Sequence, residues 1–391
     1  MQAVGIYLGV VQFFFVTCWT VYVIYLPQLA AQAGIPAGWV PLILMADQAV
    51  FAVTDLFAGV AADRVVRTLG RLGAWMAGLT ALSCLAFVAL PLVAPAASPA
   101  LLLAITFIWT LTSAALRAPP ATLLGRHVAK PAVPWMAGLM LLGMGLAGAL
   151  APYLTVQLRG TDPRLPFVLA SVALVVAASA LVWAEKRLVR TAPPPQLVQA
   201  RMSAGVPVFF AAVALLALGF QIHTALNAAP LYLRFASATA LEYLMPVFWI
   251  GFSLLVLPAS YATRRFGGMA VMAAGGVVGG LASGLAPGAG SLTALVLLQA
   301  VAGAAWAAVL MSAVASAVAL GSSGHEGAAT GGLFMLLALA ALTRIAMVAM
   351  HLPQQADMQP MLAALPPIGW VLAGLVLAVL ALRARRSGVP P

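Results

Sequence analysis

Residues 38–71 read GWVPLILMADQAVFAVTDLFAGVAADRVVRTLGR. From 38 to 62 this stretch is apolar apart from Asp47, Gln48, Thr54 and Asp55, and it ends in Asp63, Arg64, Arg67 and Arg71. A helix of roughly 20 apolar residues crosses the hydrocarbon of a bilayer. The stretch therefore reads as a membrane span with a basic anchor at one end. Working outward, the pattern recurs along the whole chain. Spans are predicted at 4–27, 38–62, 72–93, 100–124, 134–157, 166–184, 205–229, 243–262, 268–288, 292–319, 327–350 and 361–382, numbered 1 to 12 below. The composition agrees: 64% of the 391 residues are hydrophobic and 7% are charged, with a mean hydropathy of +1.08. Soluble domains carry about 25% charged residues.

The basic residues sort to one side. The gaps after spans 2, 4, 6 and 8 and the C-terminal segment hold Arg64, Arg67, Arg71, Arg126, Lys130, Lys186, Arg187, Arg190, Arg201, Arg264, Arg265, Arg383, Arg385 and Arg386. The opposite gaps hold Arg159, Arg164 and Arg234, while Arg117 and Arg344 lie inside spans. The positive-inside rule then predicts cytoplasmic termini in a multi-pass protein of the cell (inner) membrane. The net charge of +11 follows from this sorting, so the basic partner is anionic lipid rather than nucleic acid. The first span begins almost at once with no basic segment before it, which predicts an uncleaved insertion signal. Cys18 and Cys84 both fall in spans and read as packing residues. No grouping has metal-ligand spacing, and no cofactor is expected.

The longest polar gap, 185–204, combines charge with a proline run and reads as a cytoplasmic linker. It divides the chain into a six-span bundle at 1–184 and a second at 205–391. The halves repeat weakly. VYVIYLPQLA closes span 1 and ALNAAPLYLR closes span 7; GVAADRV follows span 2 and SYATRRFG follows span 8; AGLMLLGMGLAG in span 5 matches GGLFMLLALAAL in span 11. Duplicated six-helix halves mark one large transporter architecture.

Gly59-Val-Ala-Ala-Asp63-Arg64-Val-Val-Arg67, after span 2, resembles the loop signature of the major facilitator superfamily in both pattern and position. It departs by lacking a glycine soon after the Asp-Arg pair, and the copy after span 8 has lost the acidic residue. The resemblance implies an all-α fold of two pseudo-symmetric six-helix bundles, a monomer, and a latch between halves formed by Gly59, Asp63, Arg64 and Arg67. The alternative is that the arginines serve only as topology anchors. Gly138, Gly143, Gly145 and Gly148 followed by Ala151-Pro152 in span 5 loosely resemble the signature of the family's drug–proton antiporters. Close helix packing is the competing explanation.

Ionisable groups inside spans are expensive to bury and point to function. Counting from loop residues at about 1.5 Å per residue places Asp55 and Arg117 roughly 12–13 Å below the same face. They are expected to pair, either as part of the mechanism or as a structural ion pair. Asp47 and Arg344 lie roughly 9–10 Å below the other face. In the resembling family, spans 2 and 11 meet between halves, so this pair is expected to gate: closed when the protein faces inward, broken when it faces outward. The alternative has Arg344 reaching toward the headgroups and Asp47 facing water. Asp55 is the candidate proton carrier, with His223 as the other proton-coupling group.

The family's cavity is lined by spans 1, 4, 7 and 10. That implies Thr20, Tyr22, Trp109, Arg117, His223, Asn227 and Trp306 as substrate-binding candidates. These helices carry no carboxylate, which disfavours a strongly cationic substrate. The expected function is secondary transport of a small organic solute by rocking of two halves, coupled to protons and leaning toward efflux of an amphipathic compound. Uptake or exchange of an organic anion anchored by Arg117 is the alternative. An intramembrane enzyme or a non-transporting receptor is more remote, because the chain has neither a catalytic set at matched depth nor a stretch long enough for a large soluble domain. No Gly-rich nucleotide loop is present.

Overall fold

A computed structural model describes residues 2–68, 71–191, 205–321 and 324–386. It contains twelve helices long and apolar enough to cross a membrane. They run Gln2–Gln32, Ala37–Val65, Leu72–Ala96, Pro99–His127, Lys130–Gln157, Arg164–Arg190, Gly205–Tyr232, Ala238–Phe266, Gly268–Gly288, Leu292–Leu320, Glu326–Ala349 and Gln359–Ala384. Each matches one predicted span, and the described residues contain no strand. In a bilayer only helices or closed barrels satisfy every backbone N–H and C=O, so twelve largely apolar helices of this length place the chain among all-α membrane proteins.

The two halves use the same pairings. Spans 1 and 5, 1 and 6, 3 and 4, and 3 and 6 pack together, and so do 7 and 11, 7 and 12, 9 and 10, and 9 and 12. The repeat extends to caps. Ser98 opens span 4 by accepting from the Leu101 N–H at 3.3 Å, and Ser291 opens span 10 by accepting from the Ala294 N–H at 3.2 Å. The halves meet through spans 2 against 11 and 5 against 8. Below, the end carrying Arg64, Arg126 and Arg264 is the basic end, and the other is the far end.

Glycines set how closely these helices approach. A Cβ on Gly143 would run into the Gly9 backbone, joining spans 5 and 1. Gly145 faces Phe252 and Ser253, and Gly148 faces the Trp249 ring, joining spans 5 and 8. Every glycine of the span 5 motif thus has a packing partner. Gly267, at φ 89°, turns the chain from span 8 into span 9 in one residue, a conformation that strongly favours glycine.

The span 6 helix runs past its expected end at 184. Helix continues through Thr191, because Glu185 is buried and accepts hydrogen bonds from the Leu72 and Gly73 N–H groups at 2.7 and 2.9 Å. The span 6 helix is therefore tied to the start of span 3. Residues 192–204 of the expected linker, with Arg201, lie outside the described residues, as do the side chains of Arg67, Arg385 and Arg386. Cys18 and Cys84 are buried free thiols.

Candidate functional site

Span 4 is interrupted beside Arg117. Its α-helix ends at Ser113, a 3-10 turn covers Ala114–Leu116, and helix resumes at Pro119. Pro119 and Pro120 explain the break, since proline lacks an N–H and disfavours helical geometry in the residue before it. Gln12 Nε2 of span 1 donates to the buried Leu116 carbonyl, which Pro120 leaves without a helical donor, at 2.6 Å. Arg117 projects from this break to Asp55, and its Nε lies 2.9 Å from both carboxylate oxygens. The Asp55 side chain is fully buried, while the Arg117 side chain keeps 18% exposure. The guanidinium lies 4.4 Å from the Phe51 ring centroid and 6.0 Å from that of Phe334. Cation–π attraction is stronger where water is excluded, so the cation is held by Asp55, by Phe51 of span 2 and by Phe334 of span 11 in the other half.

Asp47 and Arg344 do not form an ion pair in this conformation. Asp47 accepts from Tyr22 Oη at 2.6 Å and from Thr110 Oγ1 at 2.9 Å. Arg344 Nε donates instead to Gln221 Oε1 at 3.3 Å. Tyr22 is one face of an aromatic group with Trp19 and Trp109, and its ring centroid lies 4.5 Å from that of Trp109. Thr20 is half-buried and donates to the Val16 carbonyl of its own helix.

At the basic end, the carboxylate of Asp63 accepts from the Gly327 and Ala328 N–H groups, both at 2.9 Å. These are unpaired donors of the first turn of span 11, where the helix dipole also favours a negative charge. Gly59 lies one turn away. A Cβ there would meet the Gly327 carbonyl and sit 3.1 Å from Gly331 Cα, so this contact requires glycine. Arg64 is exposed. Arg126 of span 4 faces Glu326 of span 11 with Nε–Oε2 at 3.6 Å, and Thr122 and Thr330 meet between the same two spans at 3.4 Å. The halves are thus closed against each other at the basic end.

In the second half, span 7 loosens into a π-helical turn over His223–Asn227. His223 Nε2 lies 2.9 Å from Gln299 Oε1 of span 10, and Asn227 Nδ2 donates to the Leu362 carbonyl at 2.9 Å. Trp306 stacks on Phe220 with centroids 4.3 Å apart and interplanar angle 3°, and on Trp370 at 5.9 Å.

No protein-family model matches the chain, and no curated protein matches it significantly by sequence. Its structure, however, superposes on solved transporters over nearly its whole length. The human organic anion transporter MFSD10 (TETRAN) aligns at TM-score 0.70 and 14% identity, covering 96% of this chain and 99% of that one. A bacterial homologue of the iron transporter ferroportin, in an outward-facing state, aligns at TM-score 0.71 and 14% identity, covering 96% and 98%. The chain has the major facilitator fold.

Within that fold, the sequence singled out most of the charged groups but few of their partners. Arg117 and Asp55 come together as matched depth predicts. Counting depth along a helix does not reach Tyr22 and Thr110 on Asp47, Gln299 on His223, Glu326 on Arg126 or Glu185 on span 3. Only Glu326 left a signal: an acidic residue at the head of a span, on the side where Arg126 lies.

Proposed function

We propose that this protein is a proton-coupled secondary transporter that expels a small amphipathic organic solute by rocking its two halves about the centre of the fold. The observation that carries the reading is the Asp55–Arg117 ion pair, buried inside a facilitator fold at a proline break in span 4. A fully buried carboxylate held by a single arginine is a two-position switch. Protonating Asp55 releases Arg117, and losing the proton recaptures it. Either step changes the charge presented to a solute beside Phe51 and Phe334. The basic end is the cytoplasmic one in this reading, so closure there by Asp63, Gly59 and the Arg126–Glu326 pair gives a conformation sealed from the cytoplasm. Asp47 and Arg344 then act as the opposing gate, apart here and joined when the far end closes. The protein works as a monomer in the inner membrane.

A second reading is organic-anion exchange. Arg117 holds Asp55 through Nε alone, which leaves its Nη nitrogens for a carboxylate; the MFSD10 structure is that of an organic anion transporter. Both readings are tested in proteoliposomes carrying a pH-sensitive dye, with panels of neutral amphiphiles and of carboxylates. Solute-dependent proton movement is expected with the wild type and not with Asp55→Asn. Wild-type proton flux in Asp55→Asn would exclude Asp55 as the carrier. A response confined to carboxylates and lost in Arg117→Ala would favour the anion reading.

A further inference from the structure

A second feature of the interior is independent of the Asp55–Arg117 pair. A cavity of about 240 Å³ lies between span 5 of the first half and spans 7, 8 and 10 of the second, and none of its lining side chains is charged. Phe248 and Trp249 form its aromatic wall, and Thr155 and Thr224 contribute hydroxyls. Those hydroxyls already donate to the Ala151 and Phe220 carbonyls of their own helices. Two other lining residues are in a different position. Tyr232 and Gln299 are each 1% exposed, and both Tyr232 Oη and Gln299 Nε2 lack any hydrogen-bond partner. The Gln299 carbonyl is occupied by His223 Nε2 at 2.9 Å, so its unpaired group is the donating amide. A buried donor without a partner carries a desolvation cost that an acceptor placed beside it would offset.

We propose that this cavity is a binding subsite for an uncharged aromatic solute bearing a hydrogen-bond acceptor, such as an ester or ketone carbonyl. The aromatic wall takes the ring, and Tyr232 Oη and Gln299 Nε2 donate to the acceptor. Ligand sites commonly have this composition: apolar walls with a few polar groups that fix orientation. The volume is below the roughly 300–1,000 Å³ of drug-sized pockets, so the ligand, or the part of it held here, is compact. The proposal rests on the transport reading for its role, but its binding test needs no gradient.

The test uses the full chain in lipid nanodiscs and measures the unfolding midpoint against concentration of three probes: benzyl acetate, ethylbenzene and benzoate. Ligand that binds the folded state raises the midpoint in a saturable way. Benzyl acetate is expected to stabilise the wild type at lower concentration than ethylbenzene, with benzoate inactive. Tyr232→Phe removes only the hydroxyl; it is expected to weaken benzyl acetate about two- to tenfold, the worth of one hydrogen bond, while the ligand-free midpoint holds or rises. Gly148→Ala places a Cβ 2.6 Å from the Trp249 ring; it is expected to push the ring and abolish binding. Absence of saturable benzyl acetate binding, equal binding of ethylbenzene, or unchanged binding in Tyr232→Phe would each overturn the subsite. Binding without any proton flux would sink the transport reading and leave the subsite standing; flux without binding would do the reverse.

Discussion

Replacing Gly59 by alanine should push the protein out of the conformation described above. The new Cβ would meet the Gly327 carbonyl and lie 2.8 Å from its carbon and 3.1 Å from Gly331 Cα. Unbonded carbons rest about 3.5–4.0 Å apart, so spans 2 and 11 would have to separate by several tenths of an ångström to about 1 Å. The atoms in the way are backbone, and no rotamer change relieves the clash. Overpacking of this kind costs about 1–3 kcal/mol, and the cost falls only on the state in which the two spans touch. The ratio of open to closed basic ends should rise roughly 5- to 150-fold. The assay is maleimide labelling of Thr330→Cys, a position fully buried against span 4, with Cys18 and Cys84 replaced by alanine. Labelling should accelerate by that factor in Gly59→Ala. It should not change in Gly78→Ala, where nothing lies within 4 Å of the added Cβ. Equal labelling rates in Gly59→Ala and the parent would refute the idea that this glycine contact closes the basic end.

Asp55→Asn leaves Arg117 without its counter-charge. Breaking a buried pair costs about 3–5 kcal/mol, and the 18% exposure of Arg117 places the expected loss toward the lower figure; Asp55→Asn with Arg117→Gln should recover much of it in a thermal melt. Tyr22→Phe removes the 2.6 Å donor to Asp47 and should lower stability by about 1.5–3 kcal/mol, measured by denaturant titration of the detergent-solubilised protein. Cysteines at Asp47 and Arg344 should cross-link faster in the Gly59→Ala background than in the parent, because a disulfide needs Cα atoms within about 7 Å; equal rates would count against this gate. Glu185→Ala removes two hydrogen bonds to the head of span 3 and should cost about 1–3 kcal/mol, seen as a lower melting midpoint.

The fold was readable because a bilayer imposes one rule on every span: enough apolar residues in a row, with basic residues sorted at the ends. Position along the membrane normal could be counted from the sequence, and Asp55 with Arg117 shows what that count delivers. Asp47 with Arg344 shows its limit in one conformation. The count gives the two one depth, yet each turns to a different neighbour, because depth says nothing about which way a helix is rotated. That rotation is hidden when lipid-facing and protein-facing sides are equally apolar. For the same reason the sequence left open which side of span 7 His223 faces and which residue meets it from span 10. The backbone break in span 4 has a sequence signal, Pro119 and Pro120, two and three residues after Arg117, but the surrounding apolar run is long enough to span with or without it.

The Asp63 bond to the Gly327 N–H joins residues 264 positions apart. At a synthesis rate of about 5–20 residues per second, roughly 13–50 s separate the emergence of the two partners. During that interval span 2 sits in the bilayer with its glycine face uncovered and its terminal carboxylate lacking the helix it will cap. The first half is therefore exposed to premature partners such as translocation factors, stray spans or a second nascent chain. The contact that closes the finished protein is also among the last to form as the protein is made.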